Sequence, residues 1–204
     1  SSLIFNGTKI SEINKIKIYV SLDNLFSLKN MNVKDVVIDG ANFNLNKNNY
    51  NFFISLLDNN FKDIKFEILD SNIFFKNLEN EVLFINNITN AKYIYDLKES
   101  KNILYSKNEI FNLPYSIKLS NSRDEKKLSS KIEIESLDLQ IENQFSYEEK
   151  FNTGFSELNF LNLKSIAEYK ANKNYFEFKL LDKAQNSKFS YNGKLNFRPF
   201  YSNL

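Results

Sequence analysis

Three pairs of acidic residues stand close enough in the chain to act as general acid and base: Glu67 with Asp70, Asp138 with Glu142, and Glu148 with Glu149. Cleaving a glycosidic bond needs two such carboxyl groups about 5 to 9.5 Å apart in a cleft. On a strand, Asp138 and Glu142 share the face turned to water, and solvated charge is the ordinary setting of such residues. An acid–base enzyme is therefore the weakest of the readings. The 204 residues contain no His and no Cys, which removes Ser-His and Cys-His catalysis, His or Cys metal sites, disulfides and thiol redox chemistry together. The calcium-loop pattern D-x-[DN]-x-[DN]-G is absent, and the chain has only four glycines, too few for phosphate-cradling loops of the G-x-G-x-x-G or Walker type. The sequence predicts no catalytic residues, no metal and no cofactor.

The other side chains with chemical reach are aromatic: 20 Phe and 11 Tyr, with no Trp. Rings bind single-stranded nucleic acid or sugars when basic residues share their face. Here the charges alternate with the rings, as in Phe176-Glu177-Phe178-Lys179, and so point the other way. With 27 Lys and Arg against 25 Asp and Glu, no electrostatic footprint for a nucleic acid exists. An alternating strand with such rings on one side has an apolar face. That face is either ordinary core or a surface left open as a groove for acyl chains.

The elements that would carry it follow from the same period. Apolar residues recur at every second position at Ile16, Ile18 and Val20, then at Ala41, Phe43 and Leu45, and then at Ile64, Phe66 and Ile68. Ile132 and Ile134 lead into Leu137, Leu139 and Ile141 with a slip of one near Ser136, which reads as a bulge or kink in a single long strand, Leu128 to Glu142. Phe176, Phe178 and Leu180 continue the theme, as do Phe189, Tyr191, Leu195 and Phe197, with Gly193 in the same parity. One wet and one dry face mark antiparallel sheet. Helical spacing is brief, at Leu22, Leu25 and Phe26 and at Phe53, Leu56 and Leu57, the second with Asn48 or Asn49 as its cap. The fold class is all-β with one or two short connecting helices. Asn, present 33 times, has to make most turns in place of Gly.

A faint repeat aligns Ile38 to Leu45 with Ile68 to Phe75 at a spacing of 30, and such repeats suggest stacked supersecondary units. The charge cluster Asn121 to Lys127 reads as a solvated turn, and Pro114 and Pro199 sit where strand pairing begins or stops. No apolar run reaches the ~18 residues of a membrane-spanning helix. With its only Met at position 31 and no leader at Ser1, the chain reads as a fragment or processed form, and residues 1–204 as one β-rich domain or part of a longer one.

Two stretches resemble the AsmA-like family of bacterial envelope proteins. Val20 to Leu45, VSLDNLFSLKNMNVKDVVIDGANFNL, is similar to an AsmA repeat, with a strand, a short helix and a strand pair closing in V-V-I-D-G-A-x-F-x-L. Asn192 to Phe200 resembles the G-x-L-x-F-K/R-P-F segment that follows a hairpin in such domains. The resemblance covers about a sixth of the chain. It implies a periplasmic protein tethered to the inner membrane by a segment outside this chain, with a twisted, curled antiparallel sheet forming an elongated groove for phospholipid or other acyl lipid. It carries no catalytic residues over. It assigns groove lining to Ile16, Ile18, Val20, Ala41, Phe43, Leu45, Ile64, Phe66 and Ile68, and the same alternation extends the lining to Ile132, Ile134, Phe176, Phe178 and Leu180. Each buried methylene is worth ~0.8 kcal/mol, so one acyl chain gains on the order of ten kcal/mol before ordering costs, with no polar site needed. The rival expectation is a structural or assembly module of the envelope, with a closed sandwich core and a protein partner along an edge strand.

Overall fold

Asparagine and left-handed backbone shape this sheet where glycine is scarce. The computed structural model describes residues 1–22, 31–57, 64–122, 124–147, 151–182, 190–197 and 200–203. Segment 23–30, which holds most of the first expected helix, lies outside the described residues, as do Glu148, Glu149, Phe189 and Pro199. The protein is all-β, as its alternation requires. Where the sequence reads as one domain, the contacts divide the chain into two compact units, Ser1–Ser116 and Ile117–Leu204.

The first unit holds β1 (Ser2–Phe5), β2 (Thr8–Leu22), β3 (Met31–Leu45), α1 (Tyr50–Leu57), β4 (Lys65–Lys76), β5 (Val82–Asp96) and β6 (Lys101–Ile110), and β7 (Leu113–Ser122) begins in it and ends in the second unit. The strands of the first unit lie side by side in chain order. The pairing is antiparallel except between β3 and β4, which run parallel. The sheet is thus mostly antiparallel, as its alternation predicts, with one parallel pair. The reason is α1: a crossover through a helix returns the chain to the same end of the sheet, which a tight hairpin cannot do. The register of that parallel pair is the 30-residue repeat itself, with Ile38 opposite Ile68, Asn42 opposite Asn72 and Leu45 opposite Phe75. Asn72 Nδ2 donates to Asn42 Oδ1 at 2.9 Å, and the Ala41 amide donates to Ser71 Oγ at 2.9 Å. The repeat is thus a ladder of like residues on adjacent strands.

Gly40 and Asp70, equivalent in the repeat, both take left-handed φ, +66° and +44°. They break the period of two at the same level of neighbouring strands. On β5 the extra residue Thr89 does the same against a regular β6, where Ile88 pairs with Asn108 and Asn90 with Lys107. Asn49, one of the two expected caps, stands at the start of α1 and is joined there by Asn46. Asn46 Oδ1 accepts from the amides of Asn48 (2.9 Å) and Asn49 (3.2 Å), while Asn49 Oδ1 accepts from the Asn46 amide at 2.9 Å, a reciprocal box built from two asparagines.

The second unit continues with β8 (Lys127–Ile134), β9 (Leu139–Tyr147), β10 (Asn152–Phe160), β11 (Leu163–Ala171), β12 (Tyr175–Asp182), β13 (Ser190–Phe197) and β14 (Phe200–Asn203), again in chain order. Each neighbouring pair from β8–β9 to β13–β14 is antiparallel. The slip near Ser136 is a chain reversal, not a kink: Glu135–Leu137 form one 3₁₀ turn, Asp138 turns left-handed with φ 48°, and Ile132 pairs with Ile141. The single long strand is therefore a hairpin, and Asp138 lies in its turn instead of sharing a strand face with Glu142. The slip in parity leaves the apolar residues of both arms on one side.

Replacing Gly40 with Ala tests the corner. A Cβ there would stand 2.7 Å from Asn14 Nδ2 at a φ of +66°. We expect Gly40→Ala to lose about 1–2 kcal/mol from left-handed strain alone, and Asp70→Asn to change stability by less than about 0.5 kcal/mol, both read by urea unfolding. Equal effects at the two positions would refute the corner.

Candidate functional site: the apolar sheet faces

Cross-strand pairing shows which side chains share a face. In the first unit one row runs Ile18, Val36, Phe66, Tyr93 and Leu104, and the next runs Ile16, Ile38, Ile68, Ala91 and Ser106. Beyond the corner the rows are Ile13, Ala41, Ser71, Ile88 and Asn108, then Ser11, Phe43, Ile73, Asn86 and Ile110. Ser106 Oγ bonds Asn108 Oδ1 at 2.7 Å, so the rows on either side of the corner lie on one face. The left-handed residues therefore explain why the sequence shows even parity at Ile16, Ile18, Phe66 and Ile68 but odd parity at Ala41, Phe43 and Leu45. One physical face needs both.

The two halves of that face are covered differently. Phe52 of α1 meets Phe5 with ring centres 5.0 Å apart, and Phe53 meets the edge of Phe43 at 6.2 Å. Phe43 thus packs under the helix, and Ala41 is fully buried beneath the surface. Leu45 pairs with Phe75, whose ring stacks on Phe84 at 4.3 Å. On the other side of the corner Ile16, Ile18 and Val20 are exposed, Ile18 at 60%. Ile64 precedes β4 and, like Phe66 and Ile68, is half-buried.

The second unit has an aromatic face. Ring contacts run in sequence from Tyr147 to Phe145, Tyr169, Phe176, Phe178 and Tyr191, with centres 5.5 to 6.5 Å apart. Leu180 pairs with Ala167 and Tyr191, while Ile132 and Ile134 stand in rows with Ile141 and Leu158 and with Leu139, Phe160 and Leu163. Among the described residues, no large apolar side chain on this face is buried; Leu180 is 38% exposed. Ile166, the buried large apolar residue of the unit among the described residues, is on the opposite face, paired with Glu157 and Leu181. That opposite face is charged. Lys131 reaches Glu133 at 2.7 Å and Glu142 at 3.4 Å, Lys164 reaches Glu157 at 2.6 Å, and Lys194 reaches Glu177 at 2.6 Å. The Glu133 and Glu142 carboxylates hold the Lys131 ammonium above its ordinary range, Glu133 most strongly. Such exposed pairs add little stability; they keep the wet side wet. Glu142 is part of this ladder and Asp138 of a turn, so this pair does not share a strand face.

Three phenols on the apolar faces are matched to asparagines in a way the sequence does not announce. Tyr115 on β7 donates to Asn86 Oδ1 at 2.6 Å, Tyr147 to Asn121 Oδ1 at 2.7 Å, and Tyr169 to Asn143 Oδ1 at 2.7 Å. Each phenol reaches an asparagine two strands back in the sheet order. Under Tyr169 lies Gly154, where any Cβ would collide with the ring. Here the absence of a side chain lets an aromatic ring lie over the sheet. The cue in the sequence is the spacing, 26 residues for both Asn121 to Tyr147 and Asn143 to Tyr169, the length of two strands and their turns. The rings of Phe145 and Tyr169 belong to no short motif and are added to the site by the register, which also joins Tyr191 of the last alternating run to them.

Compared with protein-family models, curated proteins and solved structures, the chain matches none. Within each unit the described strands form one sheet. A closed sandwich needs a second sheet against the first.

Burial raises the Tyr115 phenol above its ordinary value. The folded state therefore holds that proton more tightly than the unfolded chain, and the contribution is complete below pH about 10 and lost as pH climbs through the folded value. Thermal melts should fall above pH about 10, and Tyr115→Phe should flatten that fall; an unchanged alkaline limb would contradict the assignment. Separately, Tyr169→Phe should lose about 1 kcal/mol as one hydrogen bond, whereas Gly154→Ala, which lifts the ring off the sheet, should lose more in the same urea titration.

Proposed function

We propose that this chain is a non-enzymatic lipid-binding or lipid-conducting segment that shelters the acyl chains of phospholipid on its apolar sheet faces. In this reading it belongs to an AsmA-like envelope protein, held to the inner membrane by a region outside these residues and working in the periplasm. The observation that carries the reading is the aromatic face of the second unit. It is continuous across five strands, from Tyr147 and Phe145 to Tyr191, and half open, while the opposite side is a ladder of ion pairs. Apolar area of that extent left in water is unfavourable by about 25 cal/mol per Å², and an acyl chain recovers it without any directed polar contact. The exposed row of Ile16 and Ile18 beside Phe66 and Ile68 offers the same chemistry in the first unit.

The purified chain should release phospholipid on solvent extraction, identified by mass spectrometry. Phe178→Asp in the second unit and Phe66→Asp in the first place a charge on the binding face and should each cut retained lipid, by about tenfold for a loss of 1.4 kcal/mol. Lys179→Glu, on the wet side, should leave loading nearly unchanged. A wild-type chain that carries no lipid and takes up none from detergent micelles would end this reading.

A further inference from the structure

Two bulky apolar residues occupy positions where this chain elsewhere places polar ones. Among the described residues nine non-glycine residues have positive φ, and seven of them are polar: Asn6, Asp70, Asn80, Ser100, Asn112, Lys126 and Asp138. The other two are Phe111 and Leu161, with φ of 51° and 52°. Both sit at hairpin tips, 80% and 61% exposed. A left-handed backbone disfavours any residue with a large side chain, and water disfavours an apolar one. Asparagine would relieve both penalties, and this chain uses it 33 times.

In the second unit the tip has neighbours of the same kind. The Leu161 amide donates to the Asp138 carbonyl at 3.0 Å, which joins the β10–β11 tip to the β8–β9 turn. Leu137 in that turn is exposed, and so are Phe160 and Leu163, which pair across the hairpin. Phe160 and Leu163 stand in one row with Ile134 and Leu139. The aromatic face therefore continues toward the end of the sheet and its tip, crossed on β8–β10 by one row of small and amide residues, Ser130, Asn143 and Ser156. Leu137 and Leu161 are single exposed side chains in turns, a form suited to a fluid interface. Glu135 and Asp138 stand exposed beside them and disfavour an anionic surface.

We propose that the Leu137 and Leu161 tip inserts into the interfacial region of an electrically neutral phospholipid bilayer. Its use as a mouth through which acyl chains reach the aromatic face rests on the lipid-sheltering reading above. The test is flotation of the whole chain with vesicles of phosphatidylcholine, alone and mixed with phosphatidylserine. The chain should float with the neutral vesicles and less with the anionic ones. A Leu137→Asn, Leu161→Asn double variant should lower the floating fraction at least about tenfold. Its melting temperature should not fall, because asparagine is at home at the φ of 52° that Leu161 adopts and because Leu137 is an exposed turn residue, and its retained lipid should be unchanged. Failure of the wild type to float overturns the proposal, as does a double variant that floats equally well. A wild-type chain that does not float but self-associates, and becomes monomeric in the double variant, overturns it in favour of a second copy as occupant. Flotation without retained lipid supports the tip and counts against the lipid-sheltering reading; retained lipid without flotation does the reverse.

Discussion

Side chains on a strand alternate with period two, so a sheet keeps one apolar face only if every departure from that period is matched by its neighbours. In the first unit that constraint governs the arrangement. The departure at Gly40 is answered at Asp70, its partner in the parallel ladder, and by Thr89 on the next strand. Without the match, Ala41 and Ser71 would turn to water and Ile38 and Ile68 would change sides. The parallel pairing of β3 and β4 makes the match simple, since a repeat of 30 residues laid in register brings like beside like.

The same economy explains how so polar a composition supports so apolar a surface. Asparagine does three jobs. It takes the left-handed turns at Asn6, Asn80 and Asn112, caps α1 through Asn46 and Asn49, and accepts phenol protons at Asn86, Asn121 and Asn143. The last job lets amides stay on an apolar face without an unsatisfied group, a situation that otherwise costs more than the hydrogen bond returns. The tyrosines gain as well, each fixed flat across an intervening strand instead of standing off the sheet. The proposed lipid surface is therefore held in shape by polar contacts beneath its rings.

Much of this was legible. Alternation at Ile16 to Val20, at Phe66 and Ile68 and at Phe176 to Leu180 marked the strands and the faces they carry, because hydrophobic period is a local property. The repeat was visible as a spacing, but not as a parallel pair; spacing does not say whether equivalent residues stack or pair. At Ser136 the slip in parity fits a bulge or kink and a hairpin reversal equally, since all leave the same mark, and only pairing of Ile132 with Ile141 separates them. Phe43 and Ala41 carried the same signature as Ile18, yet α1 covers the first and the strands bury the second, since cover comes from elsewhere in the chain.

By itself the sequence determined that the protein is all-β, that its strands have one dry and one wet side, and that His, Cys and glycine-loop chemistry is excluded. These follow from residue type and from a period of two, neither of which depends on distant partners. Register was decided only in three dimensions: which rows unite Ile16 with Ile68 or Tyr169 with Phe178, which asparagine meets which tyrosine, and which apolar residues remain open to water. Those outcomes depend on pairings between residues some thirty positions apart and on a helix laid over half a face, and a one-dimensional pattern contains no term for either.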